Sequence, residues 1–238
     1  MAWAKPTMFT FWSNSRLNLY EQCPLKAKLQ DLDKAPSGPK SIHMERGIKF
    51  HTIAEEYVKG VGRTMPPELK RHADLFKELR KQFKKDPASM VVEDTWAFKK
   101  DWSGTHTKDW AECWLRVKVD CAQRVGNVVY IYDFKTGRFR PDDIEDYESQ
   151  LELYALAGLL ALSGIGKDLV IDPKLIYLDG GEIHPARERF TTKDIPRLKK
   201  AWEKRVKPML TDKKFAPRPN KYCYSCWFRK DNSGPCKF

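Results

Sequence analysis

Between Glu112 and Lys135, apolar and polar residues alternate on either side of one turn signal, and no other stretch limits the fold so tightly. Cys113, Leu115, Val117, Val119 and Cys121 take one parity; Glu112, Arg116, Lys118 and Asp120 take the other. A period of two places such sets on opposite faces of a β-strand. Gly126-Asn127 is a turn signal and Val128 to Lys135 reads as the return strand, so a β-hairpin is expected. Upstream, the periodicity predicts a helix over 13–31 with Ser13 or Ser15 as N-cap, and a helix over 45–59. A basic amphipathic helix should end near Lys85, before a strand over 91–99. Downstream come a helix over about 141–163, a second hairpin over 169–190 around Gly180-Gly181, and a helix to about Leu210 capped by Thr191 or Thr192. That order suits an α/β protein with a mixed central sheet and helices on both faces, rather than a doubly wound parallel sheet.

Charge divides the chain. The formal net charge is +12, and the segment from Arg187 to Phe238 holds 16 Lys/Arg against 5 Asp/Glu, a net of +11. A basic flank of that density points to a polyanionic partner, since neutralising phosphates and releasing counterions supplies most non-specific nucleic-acid affinity; the alternative is a solvated surface. With 41% hydrophobic and 32% charged residues the chain is neither disordered nor membrane-embedded. No apolar run approaches the roughly 20 residues of a membrane helix, and the N-terminus lacks a secretory layout. A cytoplasmic protein with no membrane partner is expected, in a bacterial, archaeal or virus-infected host cell.

The return strand ends in Asp133-Phe134-Lys135-Thr136-Gly137. Asp133 and Lys135 share a face, and a hairpin can bring Asp120 back beside them. Two carboxylates converging with a lysine can hold Mg²⁺, a hard ion that takes oxygen ligands; taken alone, a structural Asp–Lys pair is the commoner meaning. Gln150 and Tyr154 are four apart on a helix face, where an amide and a phenol could meet backbone phosphates or the lysine.

These residues resemble the PD-(D/E)XK nuclease superfamily, in particular its RecB-like branch. The resemblance sets Asp120 at the first metal aspartate, Asp133-Phe134-Lys135 at the (D/E)XK element, and Gln150-Leu-Glu-Leu-Tyr154 at the QxxxY helix motif. His51, in Gly47-Ile-Lys-Phe-His51, is similar to the branch's helical histidine, and Glu93 to an acidic position seen in many of these nucleases. It implies a restriction-endonuclease-like core in a single domain over 1–238, with a helical part (13–88), a sheet core (89–190) and a basic helix and tail (191–238). It also implies Mg²⁺ or Mn²⁺ held by His51, Asp120, Asp133 and the Phe134 carbonyl, with Lys135, Asp120 and Asp133 catalytic and Gln150 and Tyr154 positioning DNA.

Of six cysteines, Cys113 and Cys121 take the apolar parity and read as core. Cys223-x2-Cys226 followed by Cys236 gives three thiols within 14 residues, which suits zinc or an iron–sulfur cluster. The resemblance adds Cys23-Pro24 as the fourth ligand of a 4Fe–4S cluster that pins the two chain ends together, as in nucleases of the AddB and CRISPR-associated RecB-like exonuclease type. Zinc remains the alternative.

The function expected is a divalent-metal-dependent DNA exonuclease acting on single-stranded DNA or DNA ends in recombination, repair or processing of foreign or viral DNA. Recombination or CRISPR-acquisition proteins are the expected partners. The rivals are a catalytically inactive RecB-like DNA-binding or assembly subunit and a zinc-stabilised nucleic-acid-binding protein. Trp3, Phe9, Phe11, Trp12, Trp227 and Phe228 could stack unpaired bases, although core packing is the commoner use of such rings.

Overall fold

The hairpin forms where the alternation places it. In a computed structural model that describes residues 7–39, 41–109, 111–166 and 168–238, strand β3 (Leu115–Val125) turns back into β4 (Val128–Lys135). The two pair antiparallel from Val125↔Val128 to Cys121↔Tyr132. Before them come α1 (Asn14–Gln22), α2 (Pro24–Ala27), α3 (Ile42–Val58), α4 (Ala73–Lys85), β1 (Met90–Phe98) and β2 (Gly104–Thr105). After them come α5 (Ile144–Ala161), β5 (Val170–Tyr177), β6 (Ile183–Pro185), β7 (Phe190–Thr191) and α6 (Ile195–Thr211). Trp3 lies outside the described residues.

Among the described residues the strands form one mixed sheet in the order β2-β1-β3-β4-β5-β6, with β7 also on β5. Only the β4–β5 pair is parallel, in register from Val128↔Val170 to Lys135↔Tyr177, with α5 as the crossover that a parallel pair requires. On one face Leu17 of α1, Leu151 and Leu156 of α5 and Trp202 of α6 pack with Trp12, Ile131 and Ile171. On the other, Phe50 and Ala54 of α3 and Phe76 and Leu79 of α4 pack with Val92, Phe134 and Ile176. This is the mixed sheet flanked by helices that the sequence led us to expect.

Local chemistry sets several boundaries differently from the sequence expectation. The first helix starts where Ser13 accepts from the Arg16 N–H at 3.4 Å, but it stops at Gln22 instead of running to 31. Proline disfavours the helical conformation in the residue before it, and Cys23 is extended at φ −161° and ψ 110°. Helix α3 begins three residues early because Ser41 caps it, accepting from Met44 N–H at 3.2 Å. The second hairpin is split: β6 pairs with Lys174–Ile176, and the chain returns as β7 to pair with Val170 and Ile171.

The strict alternation of β3 also fails at one point. Leu115, Val117 and Val119 enter the α5-side core, but Cys121 enters the α3-side core and Ala122 the α5-side one. Cys121 is thus buried as expected but on the opposite face. The partner strand does the same: Trp96 and Phe98 pack on the α5 side, Met90 and Val92 on the α3 side. Between them Glu93 sits at φ +51°, a left-handed conformation that a side chain with a Cβ adopts at a cost of about 1–2 kcal/mol. Both strands turn over together, because Val92↔Cys121 and Asp94↔Val119 keep one register.

Candidate metal centre and active site

The turnover brings two strand carboxylates to one helix histidine. His51 Nδ1 of α3 lies 3.1 Å from Glu93 Oε1 of β1 and 3.2 Å from Asp120 Oδ1 of β3. One ligand atom from each lies within 4.8 Å of the others. Burial would lower the His51 pKa, but hydrogen bonds and charge from Asp120 and Glu93 outweigh it and push it up to about 10. Burial raises Glu93, yet bonds from His51 and Lys118 hold its carboxyl below its usual range. Asp120 is shifted upward, by burial and by the charge of Asp133, against a counter-pull from His51. Lys118 Nζ closes the far side of Glu93, 2.6 Å from Oε2.

A second cluster stands on β4. Lys135 Nζ is 2.6 Å from Asp133 Oδ2 and donates to Gln150 Oε1 at 3.1 Å. Burial works to lower the ammonium's pKa, but the charge and hydrogen bond of Asp133 and the charge of Asp120 together outweigh it and raise the pKa. Gln150 Nε2 donates to Tyr154 Oη at 2.9 Å, and Tyr154 donates to Asp133 Oδ1 at 2.6 Å. Burial, reinforced by Asp133 and Asp120, raises the Tyr154 phenol well above its usual pKa, so it keeps the proton it donates. Gln150 and Tyr154 thus meet Asp133 and Lys135 directly. The two clusters touch through the backbone: Phe134 N–H donates to Asp120 Oδ2 at 2.8 Å, where the β3–β4 ladder ends.

Donor chemistry fits a hard divalent ion. One imidazole nitrogen and two carboxylates converge, and such ligands suit Mg²⁺ or Mn²⁺. Asp133 Oδ2 adds a buried carboxylate oxygen that faces the Lys135 ammonium at 2.6 Å. Asp133 stands outside the His51–Glu93–Asp120 triad. His51, Glu93, Asp120, Lys135, Gln150 and Tyr154 all line one groove of about 620 Å³. Among the described residues its lysine and arginine lining is Arg116, Lys118 and Lys135, and none beyond Tyr154 lines it, so the described part of the basic segment after Arg187 does not form its walls.

Sequence reasoning missed one residue behind the groove. Asp179 follows β5, with Oδ1 2.5 Å from Arg46 of α3 and Oδ2 accepting from Gly137 N–H at 2.6 Å. Gly137 has φ +93°, a conformation open to glycine, and its turn follows directly from Lys135. Asp179 therefore ties the helix that carries His51 to the strand that carries Asp133 and Lys135. Its only sequence signal is an acidic residue beside Gly180-Gly181, which reads as turn chemistry.

Beyond the C-terminal end of α1, Cys23, Cys223, Cys226 and Cys236 line one pocket with Arg218 and Asn220. Arg218 N–H points at Cys23 Sγ at 3.5 Å and Asn220 N–H at Cys223 Sγ at 3.3 Å. Asn220 also donates to the Gln22 carbonyl at 2.9 Å, fastening the tail to the end of α1. Of the terminal aromatics, Phe9, Trp12 and Phe228 are buried.

Gene 69 protein of Mycobacterium phage L5 is 32% identical over 103 residues, covering 42% of this chain and 33% of that protein, so the match spans about a third of the relative's length. The crystal structure of SSO0001 is 16% identical and covers 100% of this chain and 91% of its own, with a TM-score of 0.41. The profile of the PD-(D/E)XK nuclease superfamily matches residues 11–230, a span that contains the whole groove. By that match the chain belongs to the PD-(D/E)XK nuclease superfamily.

Proposed function

We propose that this nuclease is a divalent-metal-dependent DNA exonuclease that hydrolyses phosphodiester bonds of single-stranded DNA or DNA ends in recombination, repair or processing of foreign or viral DNA. The observation that carries the reading is the convergence of His51, Glu93 and Asp120 in the groove that also holds Lys135. His51, Glu93 and Asp120 would hold the ion, with the buried Asp133 Oδ2 as a further oxygen and the Phe134 carbonyl as the resemblance implies. When bound, the ion lowers the pKa of a coordinated water and offsets charge on the scissile phosphate. Lys135, kept protonated by Asp133 and aimed by Gln150, presents its ammonium to the charge that builds on the phosphate oxygens. Tyr154 fixes Asp133, so the acid and the lysine share one rigid frame.

The cysteine pocket is assigned, within the same reading, to a structural 4Fe–4S cluster. In support, backbone N–H groups point at two of the sulfurs, as at iron–sulfur sites. A brown protein with broad absorption in the visible after anaerobic purification supports the cluster; a colourless protein with stoichiometric zinc overturns it.

The decisive test is digestion of end-labelled single- and double-stranded DNA with Mg²⁺ or Mn²⁺. Lys135→Ala and Asp120→Asn should each lower the rate by about a thousand-fold or more. Activity that survives either change sinks the catalytic assignment, and circular DNA cut as fast as linear DNA sinks the exonuclease.

A further inference from the structure

The tail that carries three of the cysteines also carries aromatic rings that the fold does not bury. Tyr224 is 77% exposed, Trp227 48% and Tyr222 46%, whereas the neighbouring Phe228 is 3% exposed. Core packing therefore explains Phe228 but not the exposed surfaces of the other three. Trp227 is nevertheless held in place. A Cβ built on Gly38 would fall 2.4 Å from its ring, so the indole lies flat on the backbone of that loop with its remaining surface in solvent.

Charge around these rings has one sign. Lys213 to Phe238 contains seven Lys/Arg and one acidic side chain, Asp231, which Arg229 pairs. Lys221 Nζ stands 5.3 Å from the centre of the Tyr222 ring. Exposed rings interleaved with lysines are what a strand of unpaired bases requires: a π-face for each base and a cation for each phosphate. The patch is anchored beside the groove: Asn220 donates to the Gln22 carbonyl at the end of α1, and Asn18, one turn earlier on that helix, lines the groove.

We propose that Tyr222, Tyr224 and Trp227, with Lys221, form a stacking platform for the bases of a single-stranded nucleic acid whose end occupies the groove. This rests on the nuclease reading and deepens it, because it makes the unpaired strand the preferred substrate. It also gives the basic tail a task away from the metal: it grips bases and phosphates several nucleotides from the cut.

The test is fluorescence anisotropy in EDTA, with a labelled oligothymidylate and an abasic strand of the same length. The wild-type protein should bind the thymidylate about ten-fold or more tightly than the abasic strand, the gain expected from stacking one base or more. Tyr224→Leu/Trp227→Leu keeps apolar bulk over Gly38 but removes the rings, and should erase that preference while leaving affinity for the abasic strand unchanged. In steady-state digestion the same variant should raise KM and leave kcat within two-fold. Equal wild-type affinity for the two strands, no binding of either, or an unchanged preference in the double variant overturns the platform; the last result is also what a surface for a protein partner would give. A protein that hydrolyses DNA yet ignores the bases keeps the nuclease reading and loses the platform. One that prefers bases yet hydrolyses nothing does the reverse.

Discussion

In the groove, His51, Glu93 and Asp120 come from three elements that pack into the sheet's two hydrophobic cores. In the tail, Cys223 and Cys226 sit on and beside a three-residue 3-10 turn, and the segment from Asp212 onward contains no longer helix and no strand among the described residues. The groove's donors are tied to one another through His51, Lys118, Gln150 and Tyr154. The cysteines meet backbone N–H groups and each other's loops. The difference teaches that one centre is built on elements of the sheet and its helices, while the other sits in a segment with few elements of its own.

The largest effect that separates the two should come from Cys23→Ser. Losing the thiol that joins α1 to the tail should make the segment after Asp212 cleavable by trypsin at least ten-fold faster, with Mn²⁺ affinity by isothermal titration within two-fold of wild type. A parallel loss of Mn²⁺ binding would show that the regions are one unit. Next in size, Asp179→Ala should lower kcat by about ten- to a hundred-fold and weaken Mn²⁺ binding, with Asp179→Asn recovering part of both; such losses are usual when a group that orients metal ligands is removed. A loss confined to melting temperature would reduce Asp179 to a structural tie.

Acid–base linkage gives a subtler distinction. His51 has a folded pKa of about 10 against a usual 6.5, so its pairing contributes stability that is complete below pH 6.5 and lost as pH rises toward 10. The metal-free melting temperature should therefore fall across that window, and His51→Gln should flatten the fall; Cys23→Ser should not change it. The smallest effect concerns Glu93. Glu93→Gly and Glu93→Ala both remove the carboxylate, but at φ +51° glycine should be the more stable by about 1 kcal/mol, the reverse of the usual order within a strand. Calorimetry that ranks alanine above glycine would remove strain from the description of this site.

The parts of the site that the sequence revealed are those set by local spacing. A period of two and Gly126-Asn127 were enough to place Asp120 opposite Asp133, and a spacing of four put Gln150 and Tyr154 on one helix face. Glu93 was legible only as an acidic residue on a strand, because what brings it to His51 is a left-handed residue within β1 that no residue type announces. Cys121 was assigned to the wrong face for the same reason: parity counts residues, and the strands turn over between Val119 and Cys121. Asp179 could not be found from spacing, since Arg46 and Gly137 reach it from distant parts of the chain.

The joint turnover of β1 and β3 has an evolutionary consequence. Just beyond Glu93 and Asp120 the two strands pass from one hydrophobic layer to the other, so this pair borders both. Drift in the packing of either layer is felt at the same two carboxylates. A sequence that repacks around Trp96 and Val119, or around Val92 and Cys121, is free to change only in ways that leave that crossing point still, and selection on the chemistry thereby reaches into two cores at once.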